Sequence, residues 1–284
     1  MYKNLNTGAI GIRATLPEAI EMAAANGFGG VDFSIAEVAA LVKDTSVSAV
    51  KDLFKRSGVT LGGWGMPVAF TTDSEEKWQA DLAALPGYAA LAQSIGASRA
   101  LTGVMPFSNT RPFDENYAFH VARLKPAAKI LQEYGIRLGI EFIAPKTLRN
   151  TGKFEFIYSL TDTLKLGAEL GPNAGLLLDL WHWYTSHGTQ AELDNLTNHQ
   201  VVAVHVNDAP AGIPVDEQMD LVRCLPGETG VLDCAGFLKA LQRAGYDGPV
   251  TPEPFSKRVN EMVPKEALRA TAEAMSKVWQ GLEN

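Results

Sequence analysis

The chain has 284 residues, 46% hydrophobic and 20% charged, and its 32 acidic against 25 basic side chains leave it at −7. That balance is ordinary for a globular domain and argues against a broad phosphate-binding surface, so no nucleic-acid partner is expected. No apolar run reaches the ~20 residues of a membrane helix, residues 1–11 lack the apolar stretch of a secretory signal, and the two cysteines, Cys224 and Cys234, are too few for a disulfide framework or a cysteine zinc site. A reduced, cytoplasmic location without membrane contact is the resulting expectation.

Short apolar runs predict strands at residues 7–10, 31–34, 59–63, 99–103, 137–142, 175–180, 201–206 and 248–253. The later runs are nearly continuous, as in Leu176-Leu177-Leu178 and Val201-Val202-Ala203-Val204, which is the pattern of strands covered on both faces. Between them lie helical patterns. Leu124, Ala127, Ala128 and Leu131 share one face, and so do Leu160, Leu164, Gly167 and Ala168. Thr15, Ser159 and Asp233 stand where N-caps belong, and Gly27, Gly58, Gly96, Gly135 and Gly245 where left-handed C-caps belong. Eight strand–helix units without a linker predict a single α/β domain over residues 1–284, a (β/α)8 TIM barrel, with a doubly wound open sheet as the rival.

A barrel of this kind carries its reactive groups at the carboxyl ends of its strands. The last four predicted strands each break their apolar run there with one ionisable side chain: Glu141, Asp179, His205 and Glu253. A charge in an apolar strand is costly unless it is paired or bound to a metal. Three converging carboxylates would also repel each other strongly without a cation. One divalent ion removes both difficulties, and three carboxylates with one imidazole favour Mn²⁺, with Mg²⁺, Co²⁺ and Zn²⁺ as alternatives.

The segment Pro226-Gly227-Glu228-Thr229-Gly230-Val231-Leu232-Asp233, followed by Phe237-Leu238-Lys239-Ala240-Leu241, Ala244-Gly245-Tyr246-Asp247-Gly248 and the run into Glu253, resembles the sugar phosphate isomerase/epimerase family. Val204-His205-Val206-Asn207-Asp208, Asp179-Leu180-Trp181-His182 and Gly27-Phe28-Gly29-Gly30-Val31-Asp32 match it as well. The resemblance spans the chain and is sharpest from Glu141 onward. It implies a xylose isomerase-like barrel with Glu141, Asp179, His205 and Glu253 as the metal ligands. It also implies a substrate-contacting histidine at His182, within the aromatic run Trp181-His182-Trp183-Tyr184. Arg223, ahead of the Pro226 turn, is expected either to reach a substrate oxygen or to sit in solvent. Trp64, with Phe70 and Phe107, is expected to wall a sugar's CH face or to serve as core, and Asp32 to bind substrate or cap the next helix. Gly62-Gly63-Trp64-Gly65 lacks the spacing and lysine of a phosphate loop.

Two positions depart from the ketose 3-epimerase pattern: Thr147 stands where those enzymes have a second glutamate, and Ala211 where they have an arginine. The expected function is therefore stated at the level of chemistry: a metal-dependent isomerase or epimerase of a sugar or related hydroxy-ketone, working through an enediolate with Glu141 and Glu253 as base and acid. The alternative is a lyase or dehydratase acting on a keto-cyclitol (inosose) or keto-glycoside. An abasic-site DNA endonuclease is disfavoured, because Gly63-Trp64 and Thr102-Gly103 offer no histidine where such enzymes need one. A sugar-binding barrel without catalysis is the remaining reading. The expected partners are a small-molecule carbohydrate and, as a dimer or tetramer, further copies of the chain.

Overall fold

The computed structural model describes residues 1–283. Its strands in chain order are β1 (Tyr2–Leu5), β2 (Gly30–Phe33), β3 (Thr60–Gly65), β4 (Arg99–Val104), the two-residue β5 (Phe107–Ser108), β6 (Arg137–Phe142), the two-residue β7 (Phe154–Glu155), β8 (Ala174–Asp179), β9 (Val201–Val206) and β10 (Pro249–Pro252). Eight of them close a parallel barrel in the order β1-β10-β9-β8-β6-β4-β3-β2, with β2 returning to β1. The remaining two, β5 and β7, pair antiparallel above β4 and β6. Among the described residues no helix is long and apolar enough to cross a membrane.

Local chemistry accounts for the alternation. Every residue of β9 is buried, as its continuous apolar sequence requires between a packed barrel interior and an outer helix. Ser159 accepts from the Asp162 amide and Asp233 from the Gly236 amide, so both start their helices as expected, and Thr15 is joined to Glu18 in a capping box. The five glycines expected to end helices all have positive φ, between 67° and 90°.

The first strand is the one clear displacement. Residues 7–10 form no strand; Gly8–Ile10 is a single 3-10 turn, and β1 lies earlier, at Tyr2–Leu5. Ala9 and Ile10 are apolar because that turn plugs the core from a loop. The true strand looks polar because Asn4, fully buried, donates to Asp32 at 2.7 Å and to Thr251 at 2.9 Å inside the barrel.

The loop after β9 is held by one side chain. Asp208, fully buried, accepts from the amides of Ala209 and Leu232 on one oxygen and of Thr229 and Gly230 on the other, all at 2.8–2.9 Å. The Pro226–Asp233 motif is thus a loop wrapped on a carboxylate. Asp208→Ala would strand these four amides and should cost about 2–4 kcal/mol, checked by urea denaturation.

Candidate metal centre and its cavity

Register brings the four ionisable side chains to one level. Asp179, the last residue of β8, pairs with His205 of β9. Glu141 is the penultimate residue of β6. Glu253 follows β10, and its amide donates to the Val206 carbonyl at 2.9 Å, which carries the β9 pairing one residue further. One potential ligand atom from each of Glu141, Asp179, His205 and Glu253 lies within 4.8 Å of the others. All four are buried or nearly so, with Asp179 at 0% and His205 at 6% exposure.

The polar atoms of this cluster fit a cation. His205 Nδ1 is 3.3 Å from Glu141 Oε1 and 3.4 Å from Glu253 Oε2. Yet Nδ1 of His205 and Oε1 of Glu141 are buried without a hydrogen-bond partner. Orphaned donor and acceptor atoms at such a spot are rare unless something else satisfies them. Without an ion, the surroundings of Glu141 and His205 shift both toward their protonated forms. Burial raises the Glu141 carboxyl, and the Glu253 charge adds to that. Burial works against a charged His205, but Glu253 and Glu141 overrule it and raise the imidazole well above its usual range.

Arg223 supplies the fixed positive charge. It is 3% exposed, and all five of its N–H groups face protein partners. Nη1 donates to Asp179 Oδ2 at 2.7 Å and Glu253 Oε2 at 3.2 Å, and Nη2 donates to Asp220 Oδ1 at 2.6 Å and faces His182 Nε2 at 3.2 Å. Nε donates to the Asp220 carbonyl. Burial alone would raise Asp179; Arg223 first, then His182 and His205, hold it well below the usual carboxylate range. Asp179 Oδ1 accepts from the Trp181 amide and from Asn207 Nδ2. His182, 1% exposed, packs behind this network, with Nδ1 at 3.3 Å from the Ala144 amide. A neutral imidazole has one acceptor nitrogen, so it accepts a hydrogen bond from the Ala144 amide or from Arg223, not from both.

A cavity of about 550 Å³ opens beside the cluster on the β1–β4 side. Glu141 and His205 line one end of it, and Trp64, Asp32, Leu101 and Thr102 are among the residues forming its walls. Trp64 borders the cavity and is at the same time 1% exposed and part of the core, whereas Phe70 is packed on His120 and Phe107 belongs to β5. His182 and Arg223 do not line it. His182 was expected to touch substrate and Arg223 to reach a substrate oxygen or sit in solvent; in the structure both are buried, with Arg223 bonded to Asp179 and Glu253 and facing His182. Asp32 is not a helix cap, a role filled by Ser34. Thr147 donates to the Gln218 carbonyl at 2.7 Å and so belongs to loop packing. Sequence reasoning missed Asn207, Asp220 and Asn4. Asn207 had a signal, being two residues beyond His205 on the same side of the chain.

Removing the guanidinium should expose how much it holds. Arg223→Ala leaves two buried carboxylates uncompensated and should destabilise the metal-free protein by about 3–5 kcal/mol. Urea denaturation with and without Mn²⁺ would measure it, the ion restoring part of the loss; a cost below about 1 kcal/mol would mean that these carboxylates do not depend on Arg223.

Comparison with known proteins agrees with this architecture. A model of the xylose isomerase-like TIM barrel family matches residues 20–278, and the chain belongs to that family. It is 27% identical over 162 residues to an inosose isomerase of Halalkalibacterium halodurans, covering 54% of this chain and 53% of that protein. It is 26% identical over 251 residues to a 3-dehydroshikimate dehydratase of Pseudomonas putida, covering 87% of this chain but 37% of the relative. The chain thus matches about half of one curated relative and about a third of the other. Among solved structures, a xylose isomerase domain protein from Alicyclobacillus acidocaldarius superposes with a TM-score of 0.88 at 27% identity, covering 99% of both chains. A D-psicose 3-epimerase crystallised with D-fructose shares the fold alone, at a TM-score of 0.73, 15% identity and full coverage of both chains.

Proposed function

We propose that the protein is a divalent-metal-dependent isomerase or epimerase of a polyhydroxylated ketone. The observation that carries the reading is the Glu141–Asp179–His205–Glu253 cluster, with its orphaned atoms, at the end of a cavity large enough for a sugar. Similarity to an inosose isomerase supports it. Asp179 and His205 hold the ion, with Glu141 and Glu253 completing the set. When bound, the ion draws electrons from the carbonyl and its neighbouring hydroxyl, lowering the barrier to removing the proton between them. Glu141 lines the cavity and is placed to take or return a proton there, and Glu253, entering the cluster from β10 on the other side of His205, would serve the opposite face of the reacting carbon. Trp64 covers the apolar face of the substrate and keeps water from it. Arg223 and His182 fix Asp179 and Glu253 without touching substrate. The donor set puts Mn²⁺ first, ahead of Mg²⁺, Co²⁺ and Zn²⁺; a structural relative of 17% identity, the IOLI protein, is described with a zinc atom.

A dehydratase is the second reading, favoured by the 87% coverage of this chain in the match to 3-dehydroshikimate dehydratase. It shares the first proton abstraction and then expels a leaving group. Incubating Mn²⁺-loaded protein with ketohexoses, ketopentoses and inososes and following products by NMR separates the two. An isomer or epimer supports the first reading, loss of water the second, and no conversion of any of them contradicts both.

A further inference from the structure

The walls of the cavity carry a charge pattern of their own. Away from the metal end, the polar side chains facing it are Asn6, Thr7, Ser34, Thr102, Asp32 and Glu37: four neutral hydrogen-bonding groups and two acids. Among the described residues no lysine or arginine lines it. The cations of the surrounding loops are engaged elsewhere: Lys146 pairs with Asp216, Arg149 with Glu155, Arg111 with Asp73, and Arg223 with the metal ligands and Asp220. Arg13, next to the lining residue Ala14, is exposed and outside the cavity wall. At the metal end three carboxylates face one buried guanidinium and a divalent ion, so the filled centre has no positive charge to spare for an anionic substrate tail.

Asp32 sits where it can read hydroxyl groups. Its Oδ1 accepts from Asn4 Nδ2 at 2.7 Å and from the Gly63 amide at 2.6 Å, which locks the carboxyl plane. Its Oδ2 has only the Thr251 hydroxyl at 3.4 Å, too long to satisfy a carboxylate oxygen. Strand β3 is built around this group: a side chain on Gly62 would run into Asp32 and Asn4, and one on Gly63 into Leu101. Gly62 thus leaves room for the acid at the cavity wall, and Gly63 for Leu101.

We propose that the substrate is an uncharged polyhydroxylated ketone, neither a phosphate ester nor a carboxylate, and that Asp32 binds a hydroxyl of it remote from the carbonyl. This rests on the isomerase or epimerase reading for its catalytic readout, but its binding readout stands independently. A desolvated phosphate against these walls would meet Asp32 and Glu37 and no lysine or arginine, a mismatch of the kind that sets specificity by repulsion.

The test has two arms on Mn²⁺-loaded full-length protein. In the binding arm, calorimetry compares myo-inositol with its monophosphate, xylitol with xylitol 5-phosphate, and quinate as a carboxylate. The neutral polyols should bind at least about a hundredfold more tightly than their anionic counterparts. Equal or tighter binding of the anions overturns the proposal. In the kinetic arm, Asp32→Asn should raise KM for a neutral ketose or inosose about tenfold with little change in kcat and none in Mn²⁺ affinity. Dihydroxyacetone, whose hydroxyls all adjoin the carbonyl, should be unaffected by the substitution. An equal effect on dihydroxyacetone would make Asp32 a structural residue and remove its assigned role. Absence of turnover with every ketone would defeat the catalytic reading while the binding arm still decides the substrate class.

Discussion

Asp179→Ala and His205→Ala should each lower activity by at least about a thousandfold, which is ~4 kcal/mol of transition-state stabilisation. The reason is loss of the ion rather than loss of a reacting group. Asp179 is ordered before any metal arrives, by Arg223, Asn207 and the Trp181 amide. Among the four proposed ligands it is the carboxylate held furthest toward its ionised form, so its removal would take away the fixed point of the site. Removing His205 deletes the single nitrogen ligand and leaves Glu141 and Glu253 facing each other. Metal analysis after gel filtration should find about one ion per chain in the wild type and substoichiometric metal in both variants. Because burial raises the Glu141 carboxyl and the neighbouring glutamates raise the His205 imidazole, Mn²⁺ must compete with protons at both groups, and its apparent affinity should rise with pH. Full metal content with full activity in either variant would remove that residue from the ligand set.

The two glutamates should respond differently. Glu141→Gln and Glu253→Gln keep the shape and an oxygen toward the ion but remove the proton acceptor. If the enzyme is an epimerase, each variant should lose net epimerisation by about 10²–10⁴. Deuterium from solvent should still enter one epimer in each variant, on the face served by the surviving glutamate. If it is an aldose–ketose isomerase working on one face, one variant should lose all exchange and the other keep most of it. Normal turnover in both variants would show that neither is the base, whatever holds the metal.

Much of this was legible in the residues, for identifiable physical reasons. The strands β8 and β9 declared themselves because a strand covered on both faces is apolar nearly throughout, and β9 is buried at every position. The metal cluster was legible for the same reason inverted, since ionisable groups that interrupt such strands need a shared justification. Strand β1 was not legible, because Asn4 faces inward to Asp32 and Thr251 and a buried polar network imitates a surface pattern. The place of Arg223 was hidden too. A loop arginine ahead of a Pro-Gly turn has no local mark of burial, and its five partners come from positions 179, 182, 220 and 253. Trp64 was found as a strand-end aromatic, but the reason for Gly62-Gly63 beside it, clearance for Asp32 and Leu101, exists only once three strands are side by side.

The Glu141–Asp179–His205–Glu253 cluster is proposed to hold a divalent ion for removing a proton beside a carbonyl. Deuterium exchange tests it most directly. Chelator-stripped protein is placed in heavy water with a neutral ketose or inosose, and NMR follows the hydrogen on the carbon next to the carbonyl before and after one equivalent of Mn²⁺ is added. No enzymatic exchange is expected in the stripped protein, exchange on adding the ion, and none in Asp179→Ala treated the same way. Exchange at the same rate in stripped and reloaded protein, or in Asp179→Ala, would contradict it.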